Sequence, residues 1–142
     1  MSETPPPVAS QDLEHLRLLA IFHYIVGGLG ALLACFPMIH VFIGLMMIVR
    51  PQAISGGHGA PPPEFLGFLF AGLGVMFVLL GWAMAIFTVI SGRMLAQRRR
   101  RMFSFVVAAM LCLFMPFGTV LGVFTIIVLS RPSVRRLYGE PV

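Results

Sequence analysis

Apolar positions fill three blocks of the chain, residues 18–49, 65–90 and 102–129, and charged positions are confined to the segments around them. The middle block carries no charge between Glu64 and Arg93. As a helix rising about 1.5 Å per residue, it crosses the ~30 Å hydrocarbon core of a bilayer with some tilt to spare. Within it Gly67, Ala71, Gly74, Val78, Gly81, Ala85 and Thr88 follow one another at spacings of four and three, one seam of small side chains on a helix. Phe65, Leu69, Leu73, Met76, Leu80 and Phe87 fall on the other side. Lipid tails are as apolar as the helices, so close backbone approach along small residues is what drives association in a membrane. The seam predicts a helix built to be gripped by neighbours.

The first block is uncharged from Leu18 to Val49, more than one span needs and less than two require. Pro37 lies inside it without a Gly, Asn or Ser beside it to make a turn, which predicts a kink. Gly27, Ala31 and Cys35, and again Gly30 and Ala34, supply a second small-residue seam. Arg50 to Pro63, with Gly56, Gly57, Gly59 and a proline triplet, reads as a loop.

The third block contains Met115-Pro116-Phe117-Gly118-Thr119, where turn chemistry is present. Gly118 is free to take a positive φ and Thr119 to cap a restarted helix, so a chain reversal is predicted at Pro116 to Thr119. The restarted helix is about 18 Å long over its apolar part, the size of a half-membrane re-entrant arm or a tilted thin span. Residues 1–14, rich in proline and acids, predict a disordered tail. After Ser130, Val134, Leu137 and Tyr138 set against Arg135 and Arg136 suit a short interfacial helix. An echo links Ile21-Phe-His-Tyr-Ile-Val-Gly-Gly to Met102-Phe-Ser-Phe-Val-Val-Ala-Ala, each followed by a cysteine, a proline, a glycine and Arg-Pro. A duplication would place two similar broken units around the central helix, as in many transporters.

Composition sharpens the class. The chain is 58% hydrophobic and 11% charged, where soluble domains carry about a quarter charged residues. The expected fold is all-α, an integral membrane helical bundle of about four membrane segments. A single transmembrane domain is expected over residues 15–138, with a tail at 139–142. Glu3, Asp12 and Glu14 stand where a cleavable signal peptide would have a basic region, so the first block is expected to be retained. All ten basic residues are arginine and the net charge is +5. Flanking membrane spans, these charges set orientation and meet anionic headgroups, with Arg98, Arg99, Arg100, Arg101, Arg135 and Arg136 the expected contacts, rather than binding nucleic acid.

Three single crossings would divide the arginines six against four. If both outer blocks return, the count is eight against two. If only the third block returns, Arg50 alone opposes nine, which the positive-inside rule favours and which puts both termini in the cytoplasm.

Candidate chemistry is sparse. His23 and His40 are the only acidic or basic residues (Asp, Glu, Lys, Arg, His) within the apolar blocks, and such intramembrane groups are candidate sites. They are seventeen residues apart, roughly 25 Å on an unbroken helix, which does not suit a shared haem. Each neutral imidazole is expected to hydrogen-bond a neighbouring helix or, for His40, a carbonyl freed by Pro37. His15 and His58 have no second ligand nearby, and Cys35 and Cys112 read as small hydrophobes. No catalytic triad, paired-carboxylate, metalloprotease or phosphate-loop pattern occurs. The expectation is a non-enzyme with no cofactor and no metal.

The run LRLLAIFHYIVGGLGALLACFPMIHVFIGLMMI, the proline-rich loop and the segment MPFGTVLGVFTIIVLSRPSVRRLYG together resemble small bacterial multi-pass membrane proteins of unknown function. The resemblance covers Leu16 to Tyr138. It implies a bacterial inner membrane and carries over no functional residue. The expected role is structural or interactive, as a homo-oligomer or as an accessory subunit of a membrane complex packing through the small-residue seam of the middle block, with self, another membrane protein and lipid as partners. A channel or transporter built on the two echoed units is the rival, and a haem or quinone protein using His23 or His40 a third reading.

Overall fold

The computed structural model describes residues 7–55 and 60–139. Every element in them is a helix: α1 (Pro7–Leu33), α2 (Met38–Val49), α3 (Pro51–Ile54), α4 (Glu64–Ala96), α5 (Arg101–Leu111), α6 (Phe117–Ser130) and α7 (Pro132–Leu137). Among the described residues two helical stretches are long and apolar enough to cross a membrane, Ser10–Val49 and Glu64–Ala96, at 40 and 33 residues. The described chain falls into two compact units, Leu29–Met84 on one hand and Met1–Gly28 with Ala85–Val142 on the other.

In the Leu29–Met84 unit the chain makes a turn at Ala34 to Pro37 and goes on as α2. The turn is tied by short-range bonds, Cys35 N–H to Leu32 O at 3.1 Å and His40 N–H to Pro37 O at 2.9 Å. The chain does not reverse there. Ala34, before the proline, lies against Gly81; Val41, after it, against Gly74; and Ile48 against Gly67. The three pairs step by seven residues in opposite directions, the spacing at which two helices wind about each other in a constant register. Pro37 therefore kinks a path that α4 follows antiparallel.

The second unit holds the apolar core, built on Leu16, Leu19, Ala20, Leu95, Val107, Leu111, Leu121, Val128, Leu129 and Val134. Here α1 opposes the end of α4 antiparallel, with Gly92 against Ala20 and His23 and Gly27 against Ala85 and Val89. α5 and α6 form a second antiparallel pair, Gly118 against Leu111, Gly122 against Ala108, and the Arg101 guanidinium donating to Leu129 O at 3.1 Å. These helices have 11 and 14 residues, about 16 and 21 Å, each well short of a ~30 Å hydrocarbon core.

Four expectations change. First, α1 begins at Pro7, so residues 7–14, read as part of a disordered tail, are helical; residues 1–6 lie outside the described part. Proline suits a first helical turn, and Asp12 and Leu16 are both buried at 2% exposure, a tertiary anchor that composition does not encode.

Second, the break in the third block falls at residues 112–116 rather than at Pro116 to Thr119. Gly118 is buried inside α6, and its value is close approach, since a Cβ there would lie 2.6 Å from Leu111 O. It does not have the positive φ expected of it.

Third, Thr119 caps in the opposite sense. Its hydroxyl donates to Cys112 O at 2.9 Å, covering a carbonyl that the end of α5 leaves bare.

Fourth, the echoed segments are not equivalent. The chain passes Pro37 without turning back and reverses before α6.

Between α4 and α5 the chain turns on arginines. Arg99 N–H bonds Met94 O at 2.9 Å and Arg98 N–H bonds Leu95 O at 3.2 Å, while Arg98 has φ 52° and Arg100 φ 49°. This is a Schellman cap with arginine where glycine is usual, a conformation that costs an L-residue roughly 1–2 kcal/mol.

Candidate functional site

The α4 seam residues all point inward. Gly67, Gly74, Ala85 and Thr88 are buried, and Ala71, Val78 and Gly81 half-buried. In the Leu29–Met84 unit the tightest approach is Gly44, whose added Cβ would meet Ala71 N and, at 2.6 Å, Gly67 O. Both are backbone atoms, so the two helices touch main chain to main chain. A Cβ at Gly28, Gly30 or Gly72 would meet nothing within 4 Å. The seam thus serves contacts inside the chain, and the opposite face, with Phe65, Leu69, Leu73, Met76, Leu80 and Phe87, is exposed.

His40 belongs to this unit. It lies in a cavity of about 320 Å³ lined by Pro37, His40, Phe70, Leu73, Gly74 and Phe77. Its ring stacks on Phe70 with centroids 6.2 Å apart and planes inclined by 22°.

His23 belongs to the other unit and is fully buried. Its Nδ1 lies 2.8 Å from Leu19 O; a carbonyl only accepts, so Nδ1 carries the proton and Nε2 is left as an acceptor. Nε2, Ser91 Oγ and Ser104 Oγ are buried without a hydrogen-bond partner among the described residues. Thr125 by contrast donates to Leu121 O at 2.7 Å. His58 falls outside the described residues. Among them, no three of His, Cys, Asp and Glu come together in a set that could hold a metal.

Nine arginines, Arg17, Arg93, Arg98, Arg99, Arg100, Arg101, Arg131, Arg135 and Arg136, belong to the unit that includes both ends of the chain, and Arg50 to the other. Arg131 pairs with the buried Asp12 at 3.4 Å. Sequence reasoning missed this pair, because nothing in the spacing of residues 12 and 131 links them.

Tyr138 packs its ring against the core and buries its hydroxyl. Burial pushes the phenol up to about 12, while Arg101 and Arg98 pull it back down. The unfolded chain, at about pH 10, ionises first. Tyr138 therefore adds stability that is fully present below about pH 10 and lost as pH rises towards 12. Thermal midpoints of wild type should fall through that window relative to those of Tyr138→Phe; parallel curves would show the phenol is not held by burial.

Chemically the arrangement offers tight helix packing, nine arginines in one unit and an imidazole in an apolar groove of the other. Compared with protein-family models, with curated proteins and with solved structures, the chain matches none of them.

Proposed function

We propose that the chain is a small multi-pass protein of the bacterial inner membrane with a structural or interactive role, as a homo-oligomer or an accessory subunit of a membrane complex. The observation that carries this is the outward face of the long helices. Only 17% of the most apolar window of each is buried, and Phe22, Leu32, Phe42, Phe65, Leu79 and Trp82 all stand exposed. Water does not tolerate so continuous an apolar surface, whereas lipid or a membrane partner does. Because the small-residue seam closes contacts inside the chain, a partner meets the large side chains of the outer faces.

The α5–α6 pair suits a re-entrant arm. Its tip, Leu113, Phe114, Met115 and Phe117, is exposed and apolar. Two of the backbone donors there are bonded locally, Phe114 N–H to Leu111 O at 2.9 Å and Thr119 N–H to Phe114 O at 3.2 Å; a protein partner over the tip would shield the rest of its non-helical backbone at membrane depth. Nine arginines then share the cytoplasmic side.

The test is alkaline carbonate extraction followed by thiol labelling in a Cys35→Ala, Cys112→Ala background. The protein should stay with the membrane pellet; release by carbonate would end the reading. In intact cells Ser55→Cys should react with an impermeant maleimide and Ser133→Cys should not. Labelling at Ser133 would restore three full crossings.

A further inference from the structure

We propose that the groove beside the Pro37 kink is a binding site for the head ring of a lipid-soluble quinone, its ring carbonyl accepting a hydrogen bond from His40. The inference rests on the membrane reading above, because that reading decides what can satisfy the imidazole. His40 stands about ten residues from Arg50, roughly 15 Å along the helix and so near the middle of a ~30 Å core. Its ring makes no hydrogen bond to the described residues, only the stack on Phe70. A polar group left bare at that depth costs several kcal/mol, and no water is there to relieve it.

The lining sets the chemistry of the ligand. Pro37, Phe70, Leu73, Gly74 and Phe77 are apolar and none of the six residues is acidic or basic apart from His40 itself, so the ligand is uncharged. Phe70 lies nearly parallel to the imidazole, and such an arrangement favours a flat ring in offset stacking. The cavity of about 320 Å³ is at the small end of ligand pockets, about 300–1,000 Å³, room for one substituted six-membered ring. His40, Leu73 and Phe77 are exposed, which leaves the groove open for an isoprenoid tail to run out into lipid. A phospholipid acyl chain would fill the same space but leave the imidazole unsatisfied. A neutral ring bearing a carbonyl fits the lining and accepts the imidazole N–H, which an acyl chain does not.

Trp82 provides the readout, being the one tryptophan of the chain and lying on α4 a little over one turn beyond Phe77. Decylubiquinone titrated into the purified full-length protein in detergent should quench Trp82 fluorescence saturably. His40→Leu should weaken this by about tenfold or more, the loss of one hydrogen bond in a dry site. His40→Gln, which keeps an N–H donor, should retain most of the affinity. His40 is exposed, so these variants are expected to fold, and unchanged thermal midpoints check it. Quenching that is only linear in quinone, as simple partitioning gives, would overturn the site. So would saturable quenching indifferent to His40→Leu, or displacement of the quinone by oleate with no loss in His40→Leu, which would make the groove an acyl-chain site. Carbonate extraction is unaffected by any of these outcomes, so failure of the quinone site and failure of the membrane reading are distinguishable.

Discussion

Gly44→Ala should destabilise the protein by about 2 kcal/mol net, whereas Gly72→Ala, the same chemical change, should leave it unchanged or stabilise it by up to about 1 kcal/mol. Both glycines sit inside helices, and both substitutions gain helix propensity by removing the glycine's backbone freedom in the unfolded chain. They differ in what the new methyl meets. At Gly72 there is nothing within reach. At Gly44 the methyl would run into Ala71 N and lie 2.6 Å from Gly67 O, and neither atom can rotate away, so α2 and α4 must move apart. Overpacking of this kind costs about 1–3 kcal/mol, the upper end applying where backbone blocks relaxation. In lipid no hydrophobic term draws the separated helices back together. Thermal midpoints in detergent read the difference directly. Equal behaviour of the two variants would mean that the main-chain contact does not hold the helices together.

How legible this was depends on the residue. The α4 seam could be read from spacing because its members are small, and small side chains at every third and fourth position are conspicuous in an apolar run. Its counterpart could not. The face that meets it runs through Ala34, Val41, Gly44 and Ile48, and Val41 and Ile48 look like any lipid-facing residue. The seam proposed for the first block, through Gly27, Ala31 and Cys35 with Gly30 and Ala34, mixes residues that pack with residues that do not. Gly27 and Ala34 meet α4, while Gly30 has open space around it. Only the antiparallel register separates them.

The arginine turn was hidden for another reason. Sequence rules place glycine at the left-handed position that ends a helix, and Arg98 holds it instead, with Arg100 left-handed again just before α5. Strain of about 1–2 kcal/mol per residue is carried by a turn in which four arginines follow one another, Arg98 to Arg101. Of the candidate sites, the histidines were legible as exceptions to the apolar pattern, but their surroundings were not. One turns its Nδ1–H back onto its own helix at Leu19, and the other stands in a groove lined from two helices. No spacing along the chain distinguishes those fates, because both depend on which face α4 covers.

The second large effect is expected at the reversal between α5 and α6. Gly118→Val should damage folding far more than Pro37→Ala, and the reason is a close contact rather than a special backbone angle. A Cβ at Gly118 would lie 2.6 Å from Leu111 O and 2.9 Å from Phe114 Cβ; valine adds two further methyls to that space. Relief requires the start of α6 to lift off the end of α5, which pulls Thr119 away from Cys112 O, now bonded at 2.9 Å. That exposes a carbonyl which in hydrocarbon costs several kcal/mol to leave bare. Pro37 is in the right-handed region at φ −64° and ψ −8°, a conformation alanine adopts without strain. Its carbonyl, which accepts from His40 N–H at 2.9 Å, survives the substitution, so Pro37→Ala should change stability by about 1 kcal/mol or less. Two measurements separate the variants in a Cys35→Ala background, the thermal midpoint and the rate at which a membrane-permeant maleimide reaches the half-buried Cys112. Gly118→Val should lower the first and raise the second. If Pro37→Ala proves the more damaging, or if Cys112 reacts equally fast in both, the α5–α6 reversal does not rest on this glycine contact.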